Sequence, residues 1–180
     1  MSLIGHMHKL QTNPNDEWYT LYENVDVEMR SHLLWNPNIF RDKIIYFPCD
    51  DVEKSNFPKW FIDNSDICEY AKLICSCYKK SNMFGILSGD LWEVDRNGNI
   101  KHKVLCGSGD FRSNELSQCW RQADLIITNP PFSLFKDFME FIVKYQKFYI
   151  VVGTIMKYSY AIMRNDVISH RIGGGVLLNR

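Results

Sequence analysis

Apolar positions recur along the chain with two different periods, and these periods predict an alternation of helices and strands. In residues 21–35, Val25, Met29 and Leu33 stand four positions apart, which is the spacing of a helix that buries one face. Residues 43–47 and 124–128 are instead short apolar runs, which are typical of strands buried in a parallel sheet. The same criteria predict helices over 57–64, 115–121 and 134–145 and strands over 71–78 and 148–152.

One segment departs from this alternation. Residues 95–99, Asp-Arg-Asn-Gly-Asn, predict a tight turn that joins 91–94 and 100–105 into a β-hairpin. Strands that alternate with helices indicate an α/β fold with a mainly parallel sheet between helices, here with one inserted hairpin. The length of 180 residues suffices for one domain, which we place at 16–180, after a flexible N-terminus at 1–15.

Composition and charge exclude several classes of protein. Hydrophobic residues make up 46% of the chain, which indicates a globular protein and not a disordered one. Because 21 basic residues balance 21 acidic ones, net charge alone is a weak basis for gripping nucleic acid. No apolar run approaches transmembrane length, and the first ten residues lack the core of a signal peptide. We therefore expect a cytoplasmic protein that does not contact a membrane.

The cysteines and histidines predict no metal site. Zinc ligands come in pairs at fixed spacings, and the pair at Cys75 and Cys77 has no matching second pair. We interpret the six cysteines as small, mostly buried side chains in a reducing compartment. The five histidines are scattered without an evident acid or nucleophile partner, so we expect surface or satisfied core positions for all of them: His6, His8, His32, His102 and His170.

Three loops with acidic or amide side chains follow predicted strands. They are Cys49-Asp50-Asp51, Gly109-Asp110-Phe111 and Asn129-Pro130-Pro131-Phe132. The two prolines of the third loop cannot donate to a sheet ladder and restrict the backbone, so they predict a stiff bend directly after a buried strand. In a wound sheet, such loops converge on one crevice at the carboxyl ends of the strands, where ligands bind.

Four separated blocks of the sequence together resemble a known family. They are Asp16-Glu17-Trp18-Tyr19-Thr20, Pro48-Cys49-Asp50-Asp51 with Ser55-Asn56-Phe57, Asp110-Phe111-Arg112-Ser113 and Thr128-Asn129-Pro130-Pro131-Phe132-Ser133. In this order they are similar to the EcoRI-type adenine-specific DNA methyltransferases, over roughly residues 16–160. The resemblance implies a Rossmann-like, S-adenosylmethionine-dependent methyltransferase fold.

The resemblance also implies a cofactor site, with S-adenosylhomocysteine as the product. Its residues would be Trp18, Tyr19 and Thr20 over the methionine end, Asp50 and Asp51 after the first strand, Asp110 and Phe111 at the adenine ring, and Asn129. Plain core packing remains an alternative for Trp18 and Tyr19. The chain departs from the wider superfamily in two ways: it lacks the glycine-rich loop after the first strand, and the second strand lacks the acid that commonly binds the ribose.

For Asn129, Pro130, Pro131 and Phe132 the resemblance implies catalysis. The exocyclic amine of adenine is a poor nucleophile because its lone pair is delocalised into the ring. The Asn129 side-chain oxygen and the Pro130 carbonyl would accept both amine hydrogens and favour a pyramidal nitrogen that attacks the methyl donor. Phe132 would stack on an adenine flipped out of the duplex. This chemistry needs no metal.

Two other functions stay open from the residues alone. Methyltransferases that act on glutamine side chains use the same Asn-Pro-Pro-aromatic loop, although they usually keep a glycine-rich first loop. A cofactor-binding remnant without turnover is the third reading, because the resemblance implies members that continue beyond the fifth strand. We therefore expect the closing strands and a separate target-recognition region to be absent, and DNA to be bound weakly or through a region that this chain lacks. We place the protein in a restriction-modification or phage system, with its oligomeric state open.

Overall fold

The structure, a computed structural model, describes residues 20–79 and 88–152. The helices in that part are α1 (Tyr22–Trp35), α2 (Asn56–Asp63), α3 (Ser65–Cys68), α4 (Ser117–Gln122) and α5 (Phe135–Tyr145). The strands are β1 (Ile44–Phe47), β2 (Lys72–Cys77), β3 (Asp90–Asp95), β4 (Ile100–Val104), β5 (Leu125–Thr128) and β6 (Phe148–Val151). Short 3₁₀ turns precede α4 and α5.

The described strands form one six-stranded sheet in the order β4-β3-β2-β1-β5-β6. The strands β2, β1, β5 and β6 run parallel, and β3 and β4 add an antiparallel hairpin beside β2. The chain leaves β1 towards β2 on one side and later returns to the other side of β1 as β5. The carboxyl ends of β1 and β5 therefore flank the point at which the strand order reverses, which is where open α/β sheets form their ligand crevice.

Helices cover both faces of the sheet because strand side chains alternate between two apolar cores. One core packs α1, α2 and α3 against Ile45, Phe47 and Leu73. The other packs α4 and α5 against Tyr46, Ile74 and Ile126. Since β1 and β5 contribute to both cores, their side chains are almost all buried. Among the described helices, none has the length and apolar character needed to cross a membrane.

The predicted elements within the described residues are confirmed, with boundaries that shift by one or two residues at most ends. The inserted hairpin is confirmed, and the fold is the predicted mixed α/β sheet. One detail is wrong: residues 148–151 form a strand but not a buried one, and Phe148 is 81% exposed. Among the described strands, β6 pairs only with β5 and lies at the sheet edge, so its side chains gain less cover. The short helix α3 was not predicted.

Several sequence predictions fall outside the described residues. They concern the flexible N-terminus at 1–15, Trp18, Tyr19, His6, His8, His170 and the last residues of the domain placed at 16–180.

Two glycines fix the loop that carries Asp110. Gly109 has a φ of +77°, and a Cβ there would lie 2.2 Å from the carbonyl oxygen of Cys77 at the end of β2. A Cβ on Gly89 would lie 2.3 Å from the Cα of Gly109, so the two backbones cross in close contact. Hydrogen bonds from Lys79 N to Ser108 O and from Gly89 N to Gly107 O hold this crossing at 3.0 and 2.7 Å. The loop after β4 therefore passes across the carboxyl end of β2.

We predict that Gly109→Ala destabilises the fold much more than Gly98→Ala. Both glycines have positive φ, but nothing lies within 4 Å of a Cβ at Gly98, so that variant reports backbone strain alone. We expect Gly98→Ala to lower the free energy of unfolding by about 1 kcal/mol, and Gly109→Ala to lower it by roughly 3 kcal/mol or more because backbone must move. Urea denaturation measures both, and equal losses would contradict the close approach at Cys77.

Candidate functional site

Three loops meet at the carboxyl edge of the sheet, at the ends of the adjacent strands β2, β1 and β5. Residues 48–55 follow β1, residues 129–131 follow β5, and the loop with Asp110 crosses the end of β2. Since β2, β1 and β5 are neighbours in the sheet, the predicted convergence of the three loops is confirmed. A hydrogen bond from Ser76 Oγ to the Pro48 carbonyl, at 3.3 Å, joins the end of β2 to the loop that follows β1.

Asp50 is the buried centre of this edge. Only 5% of its surface is exposed, and its carboxylate holds hydroxyl groups from two different elements. Ser55 Oγ donates to Asp50 Oδ1, and Thr128 Oγ1 at the end of β5 donates to Asp50 Oδ2 at 2.5 Å. Ser55 also caps α2, because its Oγ accepts from Phe57 N at 3.4 Å. One carboxylate thus connects the ends of β1 and β5 and the start of α2.

Asp51 and Thr20 lie at the rim of the same loop. Asp51 is half-buried, accepts from Glu53 N at 2.9 Å and pairs with the Lys54 ammonium at 3.2 Å. Asn56 Nδ2 in the first turn of α2 donates to the Thr20 carbonyl at 2.9 Å. This bond fixes Thr20 next to the start of α2, which directly follows the loop of β1.

Asp110 is held in place by its neighbour Arg112. The Arg112 backbone N–H and Nε each donate to Asp110 Oδ1 at 2.9 Å, and Nη2 donates to Oδ2 at 2.7 Å. These hydrogen bonds lower the pKa of Asp110 below its ordinary value of 3.8, so the side chain stays an ionised acceptor. Arg112 Nη1 donates to Asp137 Oδ2 in the first turn of α5, at 2.8 Å. Arg112 therefore joins the Asp110 loop to the helix that follows Asn129.

Phe111 is a core residue in this structure. Its ring is 3% exposed and packs edge-on against Phe138 and Phe141, with centroids 5.3 and 5.6 Å apart. Its carbonyl accepts from Trp120 Nε1 at 2.9 Å. These contacts anchor the loop under Asp110, while a contact between Phe111 and the cofactor's adenine ring stays a prediction.

The loop after β5 combines a rigid backbone with a half-buried amide. Asn129 precedes Pro130, which disfavours helical geometry at Asn129, and Pro131 is extended at φ −53° and ψ 131°. The Asn129 Oδ1 atom is buried. Rotation of the planar amide by half a turn would bring this oxygen to the present position of the nitrogen. Phe132 is half-buried in the 3₁₀ turn that leads into α5. The loop thus presents a short polar segment between a buried strand and a buried helix face.

Comparison with known proteins shows which family the chain belongs to. The family model described as "Adenine-specific methyltransferase EcoRI" matches residues 6–173, which is most of the chain. The chain belongs to the EcoRI-type adenine-specific methyltransferase family. The match includes the four blocks on which the resemblance rests, and the structure arranges three of them around the reversal point of the sheet.

The matching curated relatives are Type II methyltransferases. M.EcoRI of Escherichia coli is 33% identical over 189 aligned positions, which cover 97% of this chain and 56% of the relative. M.MgeORF184P of Mycoplasma genitalium is 30% identical over 157 positions, covering 87% of this chain and 46% of the relative. M.MpnI of Mycoplasma pneumoniae is 30% identical over 151 positions, covering 83% and 44%. The chain spans about half the length of these relatives, and no solved structure gives a significant match.

Within this family fold, several residues around the site had no predicted role. Ser55, Thr128 and Arg112 stand inside the recognised blocks, yet their sequence gives no sign that they hold Asp50 and Asp110. The only usable signal was their position beside the predicted acids. Of the predicted cofactor residues, the structure brings Thr20, Asp50, Asp51, Asp110 and Asn129 to this edge and buries Phe111 beneath it.

The cysteines and histidines take other positions. All six cysteines are free thiols, and burial raises the pKa of Cys68 and Cys77 to about 12 and that of Cys119 to about 11. His32 pairs with Glu28 at 3.2 Å and His102 with Asp90 at 2.8 Å, so both have acid partners that the sequence did not reveal. In the described part of the chain, no group of three or more His, Cys, Asp or Glu residues is arranged to hold a metal ion.

We predict that the stability contributed by Asp110 depends on pH. Its folded pKa lies below the unfolded value, so the contribution is present above the unfolded pKa and is lost as pH falls through the folded pKa. The difference in unfolding free energy between the wild type and Asp110→Asn should be larger at about pH 7 than at about pH 3. Urea denaturation at both pH values measures it. In an Arg112→Gln background the dependence should shrink, and an unchanged dependence there would contradict Arg112 as its cause.

Proposed function

We propose that this chain transfers a methyl group from S-adenosylmethionine to the exocyclic amine of adenine in DNA. One observation carries the proposal: the Asn129-Pro130 loop follows β5 directly beside the Asp50-Asp51 loop of β1, in a member of an adenine-specific methyltransferase family. A sheet with this reversal point offers one crevice for a cofactor and an acceptor together. The Type II methyltransferase relatives support a place in restriction-modification.

The residues at the edge fit the proposed cofactor chemically. Arg112 occupies three acceptor positions of Asp110, and a carboxylate has about four, so one position can accept from an adenine amine. Asp51 is half-buried at the end of β1, where a carboxylate can accept from an ammonium or from ribose hydroxyls. S-Adenosylmethionine supplies, when bound, a methyl group on an electrophilic sulfonium. The protein's task is to hold the acceptor nitrogen next to it.

Asn129 and Pro130 would perform that task. The Asn129 amide oxygen and the Pro130 backbone carbonyl accept the two hydrogens of a planar amine and direct its lone pair out of the ring plane. Because both acceptors sit on a stiff segment, the backbone needs little reorganisation and only the Asn129 amide has to turn its oxygen outward. The gain is one of positioning and electrostatics. Phe132 would stack on the flipped adenine. With a formal net charge of +0, this segment is expected to bind DNA weakly by itself.

We predict that the chain binds S-adenosylhomocysteine and that Asp110 contributes to the affinity. Replacing Asp110 with Ala removes an ionised acceptor, and hydrogen bonds to charged groups are worth about 1.5–3 kcal/mol, so the Kd should rise roughly tenfold or more. Asp66→Ala is the matched control, because it removes a carboxylate from the exposed start of α3. Isothermal titration calorimetry gives each Kd. An absence of both heat and thermal stabilisation in the wild type would refute cofactor binding.

We predict that Asn129→Ala strongly reduces methyl transfer to adenine while the protein stays folded. The loss of one preorganised acceptor should lower the rate by roughly 100-fold or more. Asn97→Ala is the control, because it removes an amide in the distant hairpin turn. Transfer of labelled methyl groups is measured with mixed DNA and, in parallel, with glutamine-containing peptides.

Label on adenine that depends on Asn129 supports the proposal. Label on glutamine alone would assign the loop to a side-chain amide, and cofactor binding without transfer to either acceptor would indicate a binding protein. Adenine methylation that persists in Asn129→Ala would contradict the role given to that amide.

A further inference from the structure

The carboxylate of Asp50 points into the protein, although it stands in the loop predicted to bind the cofactor. It is 5% exposed, and each of its two oxygens accepts a hydroxyl hydrogen. The hydroxyl groups come from Ser55, five positions later, and from Thr128, 78 positions later. The partners of this carboxylate therefore belong to both halves of the crevice.

Thr128 is the last residue of β5 and directly precedes Asn129. Its side chain is fully buried and donates to Asp50, and its carbonyl accepts from Val152 N at 3.1 Å. Thr128 is thus fixed by its side chain to the loop of β1 and by its backbone to the chain after β6. Because Pro130 restricts the backbone geometry of Asn129, the place from which the Asn129 side chain extends follows from the position of Thr128.

We propose that Asp50 and Thr128 are positioning residues that place Asn129 against the cofactor loop, and that Asp50 is not a cofactor ligand. This inference rests on the proposed function for its kinetic part. The 2.5 Å hydrogen bond fixes the separation of the two loops across the reversal point of the sheet. Methyl transfer depends on this separation, because the acceptor nitrogen is held by one loop and the cofactor by the other.

Through Ser55, the Asp50 carboxylate is also connected to the start of α2 and to Thr20. Ser55 caps α2, and the next residue, Asn56, donates to the Thr20 carbonyl at 2.9 Å. A continuous series of hydrogen bonds and adjacent residues therefore runs from Thr20 through Asp50 to Thr128. It joins three of the four blocks that define the family resemblance, which gives a physical reason for Asp, Ser and Thr at these places.

The test compares Thr128→Val with Thr128→Ser. Valine keeps the shape of threonine but loses the hydroxyl, whereas serine keeps the hydroxyl and loses a methyl group. We expect Thr128→Val to lower kcat by roughly tenfold to 100-fold, since small misplacements of reacting groups have effects of this size. The Kd for S-adenosylhomocysteine should change by less than about twofold, and Thr128→Ser should retain most of kcat. If Thr128→Val does not fold, Asp50→Asn takes its place, with a loss in kcat and an unchanged Kd expected.

The control is Tyr46→Phe, which removes another buried hydroxyl group. The Tyr46 hydroxyl in β1 contacts Ser76 Oγ in β2 at 2.8 Å. This variant should leave kcat unchanged. A loss of kcat in Tyr46→Phe equal to that in Thr128→Val would reduce the effect to general destabilisation and overturn the inference. So would an unchanged kcat in Thr128→Val, or a Kd that weakens as much as kcat falls.

A second readout does not need turnover. This readout is the NMR signal pair of the Asn129 side-chain amide, which is assigned by its loss in Asn129→Ala. The pair should broaden or split in Thr128→Val and stay single in Tyr46→Phe. If the wild type transfers no methyl group, the proposed function fails, and the signals alone decide the inference. A single, unshifted Asn129 amide pair in Thr128→Val would then overturn it.

Discussion

The hydrogen bond between Thr128 and Asp50 is the contact on which the architecture of the crevice depends. Parallel strands fix their neighbours by backbone ladders, but the ladder between β1 and β5 covers only two residue pairs, Ile45 with Leu125 and Tyr46 with Ile126. Beyond those pairs β1 ends at Phe47 and β5 at Thr128, and both segments then enter loops that the ladder does not hold together. A buried carboxylate that accepts from both sides supplies the missing connection. Burying this carboxylate costs desolvation, and a hydrogen bond to each of its oxygens offsets part of that cost.

Two carboxylates at the same edge take different roles because their partners differ. Asp50 is surrounded by hydroxyl groups inside the protein, which fix two loops. Asp110 lies nearer to solvent and is held from one side by an arginine, which keeps it ionised and oriented while leaving acceptor capacity. By sequence position alone the two residues look the same, because each is an acid in a loop that follows a strand. Only their surroundings separate a residue that holds the site together from one that can hold a ligand.

These differences explain which features of the structure could be predicted from the sequence. The periodicity of α1, the hairpin turn at Gly98 and the double proline after β5 depend on local chemistry, and the structure confirms each of them. The inward direction of Asp50 depends on a threonine 78 positions away, so no local pattern contains it. The exposure of Phe148 likewise follows from the strand order, which places β6 at the edge of the sheet. The apolar sequence of β6 does not by itself indicate an edge position.

The crossing at Gly89 and Gly109 shows how a chain without a glycine-rich first loop can still form a close-fitting edge. In many wound sheets glycines after the first strand allow the backbone to approach a ligand. Here that position is Pro48-Cys49-Asp50-Asp51, and the glycines instead let the loop after β4 lie against the end of β2. The close approach brings Asp110 to the side of the crevice opposite β5. Asp50 then braces the β5 side, so the two halves of the site are built by different means: backbone contact on one side and a buried carboxylate on the other.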